Sequence, residues 1–287
     1  MKIRCWGTRG SIPAPGAETV RYGGNTPCLE VRLDDGTLII FDSGTGIREL
    51  GLELMKSGQP IRAQIILTHI HWDHIQGFPF FVPAYVEGNQ FEIIARPLAG
   101  SGVRQIFEDL MVEPYFPIGF DALGADFRLR ELGSGDIDLG GARMTSIETN
   151  HPGDTFAFRV EENGKSFVFM TDNELRSSAI KKVPFEEHVR FCRGADLLIH
   201  DAMYTDEEYE KTVGWGHSTW MTALELAIKA GVSRFALYHH DPAHSDDMID
   251  SLVEQCRKEI RARNRRRKKR KIKMKCFAAD EESVIKL

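Results

Sequence analysis

The sequence predicts an α/β (α+β) fold, one domain in which two packed sheets carry helices on their outer faces. Three observations predict it. Apolar strand-like runs outnumber helical ones. They arrive in two similar blocks, each a run of strands closing on helices, the pattern of layered sheets. No Pro/Gly/Ser-rich linker divides the blocks, so residues 1–287 read as a single domain.

The elements follow in order. "MKIRCWGTRGS" is a strand running into a glycine-rich turn. "PCLEVRL" and "GTLIIFDSG" are strands joined by a hairpin turn at Asp34–Gly36. "GIRELGLELMKSG" has helical spacing and stops at Gly58. "AQIILTH" is short and apolar, as a buried strand requires, and "FEIIARP" is another strand. "SGVRQIFEDLMV" has helical periodicity, with Ser101 placed to cap it. In the second block, "ARMTSIETNHP" and "TFAFRVEENGKSFVFMTDNE" supply three strands, the last two turning at "ENGK". "ADLLIHDAM" is a strand ending in polar residues. "STWMTALELAIKAG" is a helix with a Ser/Thr start and Gly231 at its end. "SRFALYHHDP" is a strand, "SDDMIDSLVEQCRKEIRAR" a helix, and "KMKCFAADEESVIKL" an edge strand or hairpin.

Composition narrows the class. The balance of 42% hydrophobic and 28% charged residues is that of a globular chain. No apolar run of 18 residues exists, so no membrane span is expected, and "MKIRCWGTRGSIP" has no signal-peptide core. A cytoplasmic location follows as the expectation. Cys5, Cys28, Cys192, Cys256 and Cys276 are scattered without a CxxC, so free thiols are expected rather than a zinc framework. The net charge of −5 is unevenly spread. Residues 257–275 hold 13 of the 37 basic residues, and the remaining chain carries 24 basic against 41 acidic residues. A nucleic-acid-binding body would usually be basic.

Five polar clusters each follow an apolar strand: His69/His71/Asp73/His74, His151, Asp172, His200/Asp201 and His239/His240. Groups at strand ends can approach a ligand from a fixed backbone. Neutral imidazole and carboxylate are the ordinary ligands of zinc and similar divalent ions. Three His and one Asp within six residues would be costly as unpaired buried groups. The bland alternative is a solvated polar turn. The residues therefore point to a metal site.

At this point the sequence resembles the metallo-β-lactamase superfamily, whose HxHxDH signature stands here as His69-Ile70-His71-Trp72-Asp73-His74. The resemblance spans nearly the whole chain and implies a four-layer αββα sandwich, the metallo-β-lactamase fold. It implies two divalent metal ions, zinc by default, with manganese or iron able to use the same ligands. His69, His71 and His151 would hold the first. Asp73, His74 and a late histidine would hold the second, with Asp172 of "FMTDNE" between them. "ALYHHDP" offers two late histidines. Strand alternation sends His239 and His240 to opposite sides, and the family pattern favours His239. Asp42 of "FDSGTG" would orient a ligand histidine.

Asp73 with a late histidine is similar to the phosphodiesterase and ribonuclease Z branch. His217-Ser218-Thr219 resembles that branch's HST motif, and His200-Asp201-Ala202-Met203 stands at its His-Glu-Ala-Thr position, with Asp for Glu. The resemblance implies Asp73, His217 and Asp201 as the catalytic set, with Asp201 orienting His217 toward a scissile phosphate. Two metals about 4 Å apart can activate water and steady charge on phosphorus, and a histidine opposite them can donate a proton. The alternatives are a helix-start role for His217 and packing for His200. Two features depart from ribonuclease Z. No insertion after His151 or among the 27 residues between Asp172 and His200 is long enough for its tRNA-gripping arm, and "HHDPAHS" has no phosphate-contacting Arg.

Gly7, Gly10, Gly23 and Gly24 permit tight turns, and Arg9 between them could reach an anion. In "HIQGFPFFVPAYVEG", Phe78 and Phe80 serve either a substrate wall or the core. Arg265–Lys271 is seven basic residues in succession, which repel one another and suit a polyanion such as nucleic acid. Three functions compete. The leading one is a binuclear metal-dependent hydrolase acting on a small or cyclic nucleotide-type phosphodiester. The others are a ribonuclease Z-like endonuclease on RNA and a non-catalytic ligand or metal sensor. Ribonuclease Z relatives being dimers, the resemblance also implies a homodimer.

Overall fold

The computed structural model describes residues 1–97, 100–133, 135–177, 179–180, 182–266 and 271–287. The first sheet takes β1 (Lys2–Gly7), β2 (Cys28–Arg32), β3 (Leu38–Phe41), β4 (Arg62–Ile66), β5 (Gln90–Ala95) and β6 (Asp126–Glu131) side by side in chain order. The second takes β7 (Ile137–Asp138), β8 (Arg143–Glu148), β9 (Phe156–Glu162), β10 (Lys165–Met170), β11 (Leu197–Asp201), β12 (Arg234–Tyr238) and β13 (Lys275–Ala278) the same way. The last strand, β14 (Val284–Lys286), crosses back to the edge of the first sheet beside β1. Each sheet begins antiparallel and ends parallel, with β3 to β6 parallel in one and β10 to β13 in the other.

Helices cover the outer faces. They are α1 (Gly46–Met55), α2 (Trp72–Ile75), α3 (Val103–Leu110), α4 (Phe185–Phe191), α5 (Asp206–Thr212), α6 (Trp220–Ala230) and α7 (Asp246–Arg266). Between the sheets Phe41, Phe158, Phe167, Phe169 and Tyr238 interlock, all fully buried. One outer core joins β3 and β4 to α1 and α3 through Ile40, Ile65, Leu50 and Phe107. Another joins β10 and β12 to α6 and α7 through Val168, Leu237, Leu224 and Ile249. The layers are helix, sheet, sheet, helix, as the resemblance implies. Central parallel strands are buried on both faces, which is why "IILTH" and "ADLLIHD" read as unbroken apolar runs.

Several elements differ from the sequence reading. β6 alternates charge along an exposed edge, so its apolar pattern is weak. α4 and α5 are single short helices of seven residues, too brief for a periodicity signal. The N-cap of α3 is Gly102, not Ser101. "KMKCFAADEESVIKL" is not a hairpin, because β13 and β14 edge different sheets. Phe78 is core, fully buried against Phe107 and Phe120, whereas Phe80 is 56% exposed. The five cysteines are free and buried. Among the described residues no helix is long and apolar enough to cross a membrane.

Topology also places the basic segment. Lys275 pairs with Arg234, at the start of β12, while His239 follows the end of that strand. α7 runs 21 residues, about 30 Å, from Asp246 beside Arg9 to Arg266. Arg266 and Lys275, described residues on either side of positions 267–270, therefore lie at the far ends of α7 and β12 from the histidines. Residues 267–270 of the Arg265–Lys271 run fall outside the described residues.

Candidate metal centre

The parallel strands of both sheets end at one edge, where crossover connections leave a crevice. β3 delivers Asp42 there in a left-handed turn, φ 61°, fully buried. Its carboxylate accepts from the Thr68 amide at 2.7 Å, from the Thr68 hydroxyl and from His74 Nδ1 at 2.9 Å. That bond fixes the His74 tautomer and presents Nε2 inward. His71 is the N-cap of α2, and the single turn that follows swings Asp73 and His74 into the crevice while Trp72 stays 72% exposed.

The second sheet supplies the rest. His151 Nδ1 donates to the Gly216 carbonyl at 3.0 Å, leaving Nε2 2.9 Å from His71 Nδ1. Asp172, after β10 at φ 42°, lies 3.2 Å from His74, 3.3 Å from His239, 3.6 Å from His69 and 3.7 Å from His151. His239 follows β12 at φ 57° and sits 3.2 Å from Asp73. His240 points the other way and donates to Ala279 O at 3.0 Å, so the late histidine of the cluster is His239. Gly10 packs so closely on the His239 ring that a Cβ there would lie 2.4 Å from it. Donor atoms of His69, His71 and His151 converge, as do those of Asp73, His74 and His239, with Asp172 touching members of both sets.

Electrostatics favour ligand forms. Burial alone would raise Asp172 and Asp73, yet the surrounding histidines hold both carboxyls well below the usual range. Burial lowers His69 strongly and takes His151 down to about 4, so both are neutral. Burial also opposes charge on His74, but Asp73, Asp172 and Asp42 outweigh it and raise its pKa well above the ordinary value. A cation held here would displace that proton.

His217 stands across the cluster, its ring stacked 5.0 Å from His239 and edge-on to His151 at 5.1 Å. Its Nδ1 donates to Asp201 Oδ2 at 3.0 Å. Burial works against protonation, but Asp201 dominates and raises His217 to about 9. The shorter Asp therefore reaches the HST histidine. His200 is buried and donates to Asp201 O at 2.5 Å, a packing role. Arg9 does not face the crevice. It is fully buried and donates to the carbonyls of Gly23, Asp241 and His244.

Two contributors escaped the sequence reading. The Ser11 amide donates to Asp73 Oδ2 at 2.8 Å, and no side-chain pattern marks a backbone donor. Glu174 is buried and accepts from Tyr209 Oη and from the amides of Gly214 and Gly216. The two glycines of "GWGH" were its available signal.

The donor set fits divalent metal. Nε2 of His69 and of His74 are buried, lack hydrogen bonds among the described residues, and face Asp172. Unpaired buried nitrogens are expensive, and a divalent ion at each would satisfy them. Asp42→Ala should lower metal affinity about 10–100-fold, measured by competition with a chromogenic chelator. Unchanged affinity would refute an orienting role for Asp42.

Residues 37–240 match the model of the beta-lactamase superfamily domain. The chain is 25% identical to ribonuclease Z of Archaeoglobus fulgidus, covering 90% of this chain and 92% of that one. It is 27% identical to ribonuclease Z of Thermoplasma acidophilum, covering 91% and 92%. Among solved structures, the metallo-beta-lactamase fold protein YhfI of Bacillus subtilis superposes with a TM-score of 0.71 at 18% identity, over 99% of this chain and 98% of that one. By that family match, and with the αββα layers and the His/Asp cluster between them, the chain belongs to the beta-lactamase superfamily as a hydrolase of the metallo-β-lactamase fold.

Proposed function

We propose that the chain is one binuclear metal-dependent phosphodiesterase domain acting on small or cyclic nucleotide-type phosphodiesters. His69, His71 and His151 would hold one ion and Asp73, His74 and His239 the other, with Asp172 within reach of each set and zinc the default metal. When bound, the pair supplies Lewis acidity and a nucleophile from water at neutral pH. The observation that carries the reading is the Asp201–His217 pair. Asp201 fixes Nδ1 of His217 and favours its protonated form, so Nε2 is the proton donor available to a leaving oxygen opposite the cluster. Asp73, held by the Ser11 amide, keeps its carboxylate turned to the same side.

The small-substrate reading is supported by the described residues flanking positions 267–270 of the basic run, Arg266 and Lys275, which stand at the ends of α7 and β12 remote from the crevice. RNA cleavage is the second reading, favoured by curated relatives named ribonuclease Z. The test is turnover of bis-p-nitrophenyl phosphate and of a precursor tRNA after loading with Zn²⁺ or Mn²⁺. We expect hydrolysis of the diester, and neutralising Arg265–Lys271 should leave that rate within about twofold. Absence of diester hydrolysis in folded, metallated protein would overturn the enzyme reading in favour of a sensor. RNA cleavage that disappears with the basic run would favour the nuclease.

A further inference from the structure

Trp215 is set in an unusual way. It stands between Gly214 and Gly216, at φ 90° and 92°, values that side-chain-bearing residues rarely adopt. Both glycine amides point inward to the buried carboxylate of Glu174, at 3.0 and 2.9 Å, and Tyr209 closes its remaining face at 2.6 Å. A Cβ at Gly216 would strike His151 at 2.1 Å. The loop is thus pinned from beneath, while its middle side chain, a large indole, is left 62% exposed. Gly216 accepts the bond that orients His151, and His217 is the next residue, so the loop that carries the indole is also the one that holds these histidines. A second exposed indole is also next in sequence to a cluster residue. Trp72 is bonded in sequence to His71, whose ring nitrogen is 2.9 Å from His151. The other two tryptophans, Trp6 and Trp220, are each only 7% exposed.

An exposed indole on a rigid loop loses little entropy on binding a flat partner, and each stacked base contributes substantially in nucleotide sites. Building on the phosphodiesterase reading above, we propose that Trp215 is the stacking platform for the substrate's nucleobase. The substrate class is thereby narrowed to nucleoside phosphodiesters, and Glu174 becomes the residue that positions the platform.

The test compares two esters that release the same leaving group, thymidine 5′-(p-nitrophenyl phosphate) and methyl p-nitrophenyl phosphate. Wild type should prefer the nucleoside ester in kcat/KM. Trp215→Ala should cut that preference about tenfold, chiefly through KM, within the range of base stacking. Trp215→Phe, which keeps a flat ring, should restore most of it. An unchanged preference, or equal losses on both esters, overturns the proposal. A second readout needs no turnover. Thymidine 5′-phosphate should quench the tryptophan emission of Trp72→Phe saturably, and the quenching should vanish in Trp72→Phe/Trp215→Phe. Quenching that survives the second substitution counts against Trp215. Failure of wild type to hydrolyse either ester would strike the phosphodiesterase reading instead, leaving the quenching result to decide the platform.

Discussion

His217→Ala should lower kcat about 10²–10⁴-fold, the range of a lost proton donor, while metal content stays that of wild type. The ring touches His239 and His151 but its Nδ1 is committed to Asp201, so removing it takes away a donor and leaves the cluster's other nitrogens in place. The pH profile gives a sharper signature. A donor works only while protonated, and Asp201 outweighs burial to hold His217 at about 9. Wild-type kcat should therefore fall as pH rises through that region, and the alkaline limb should be missing from the variant. Loss of metal on substitution would make His217 a ligand and refute its assigned role.

Asp172→Asn should be as severe. Asp172 is the one carboxylate in reach of four histidines, two from each half of the cluster. Its charge, set against their buried rings, is what would let the two proposed cations share so small a volume. Replacing it by a neutral amide of the same size should reduce bound metal to one ion or fewer per chain. Turnover should drop at least about 10²–10³-fold, the cost of deleting a preorganised charge at a reacting centre. Elemental analysis beside circular dichroism would check this. Two tightly held ions in the folded variant would contradict it.

The parts of the site that were legible share one property: ligand-type side chains packed at the end of an apolar strand. His69 to His74 declared themselves that way, and so did His151 and Asp172. Alternation set the two late histidines on opposite sides and the family pattern favoured His239; the turn at φ 57° sends His239 to the cluster and His240 to Ala279. What sequence concealed was orientation. Arg9 lies in a loop that looked ready for an anion, yet its guanidinium is spent on three carbonyls. Glu174 sits two residues from Asp172 and resembles a further ligand, but its oxygens are occupied by backbone amides. The Asp201–His217 contact joins residues 16 apart through a loop whose path depends on Glu174, so it was legible through the motif resemblance and not through any local pattern. In the fold, long apolar strands were legible, while the charged edge strand β6 and the seven-residue helices were too weakly patterned to read.

The proposed ligands are divided between the two layers. His69, His71, Asp73 and His74 hang from β4, whereas His151, Asp172 and His239 follow β8, β10 and β12. Any ion gripped by both groups acts as a clasp across the seam, and mass action makes its binding energy part of the folding energy. At a free concentration 100 times the dissociation constant, one such clasp contributes about 2.7 kcal/mol. The robustness of this sandwich toward heat and denaturant is then a property of the surrounding metal supply as much as of the polypeptide.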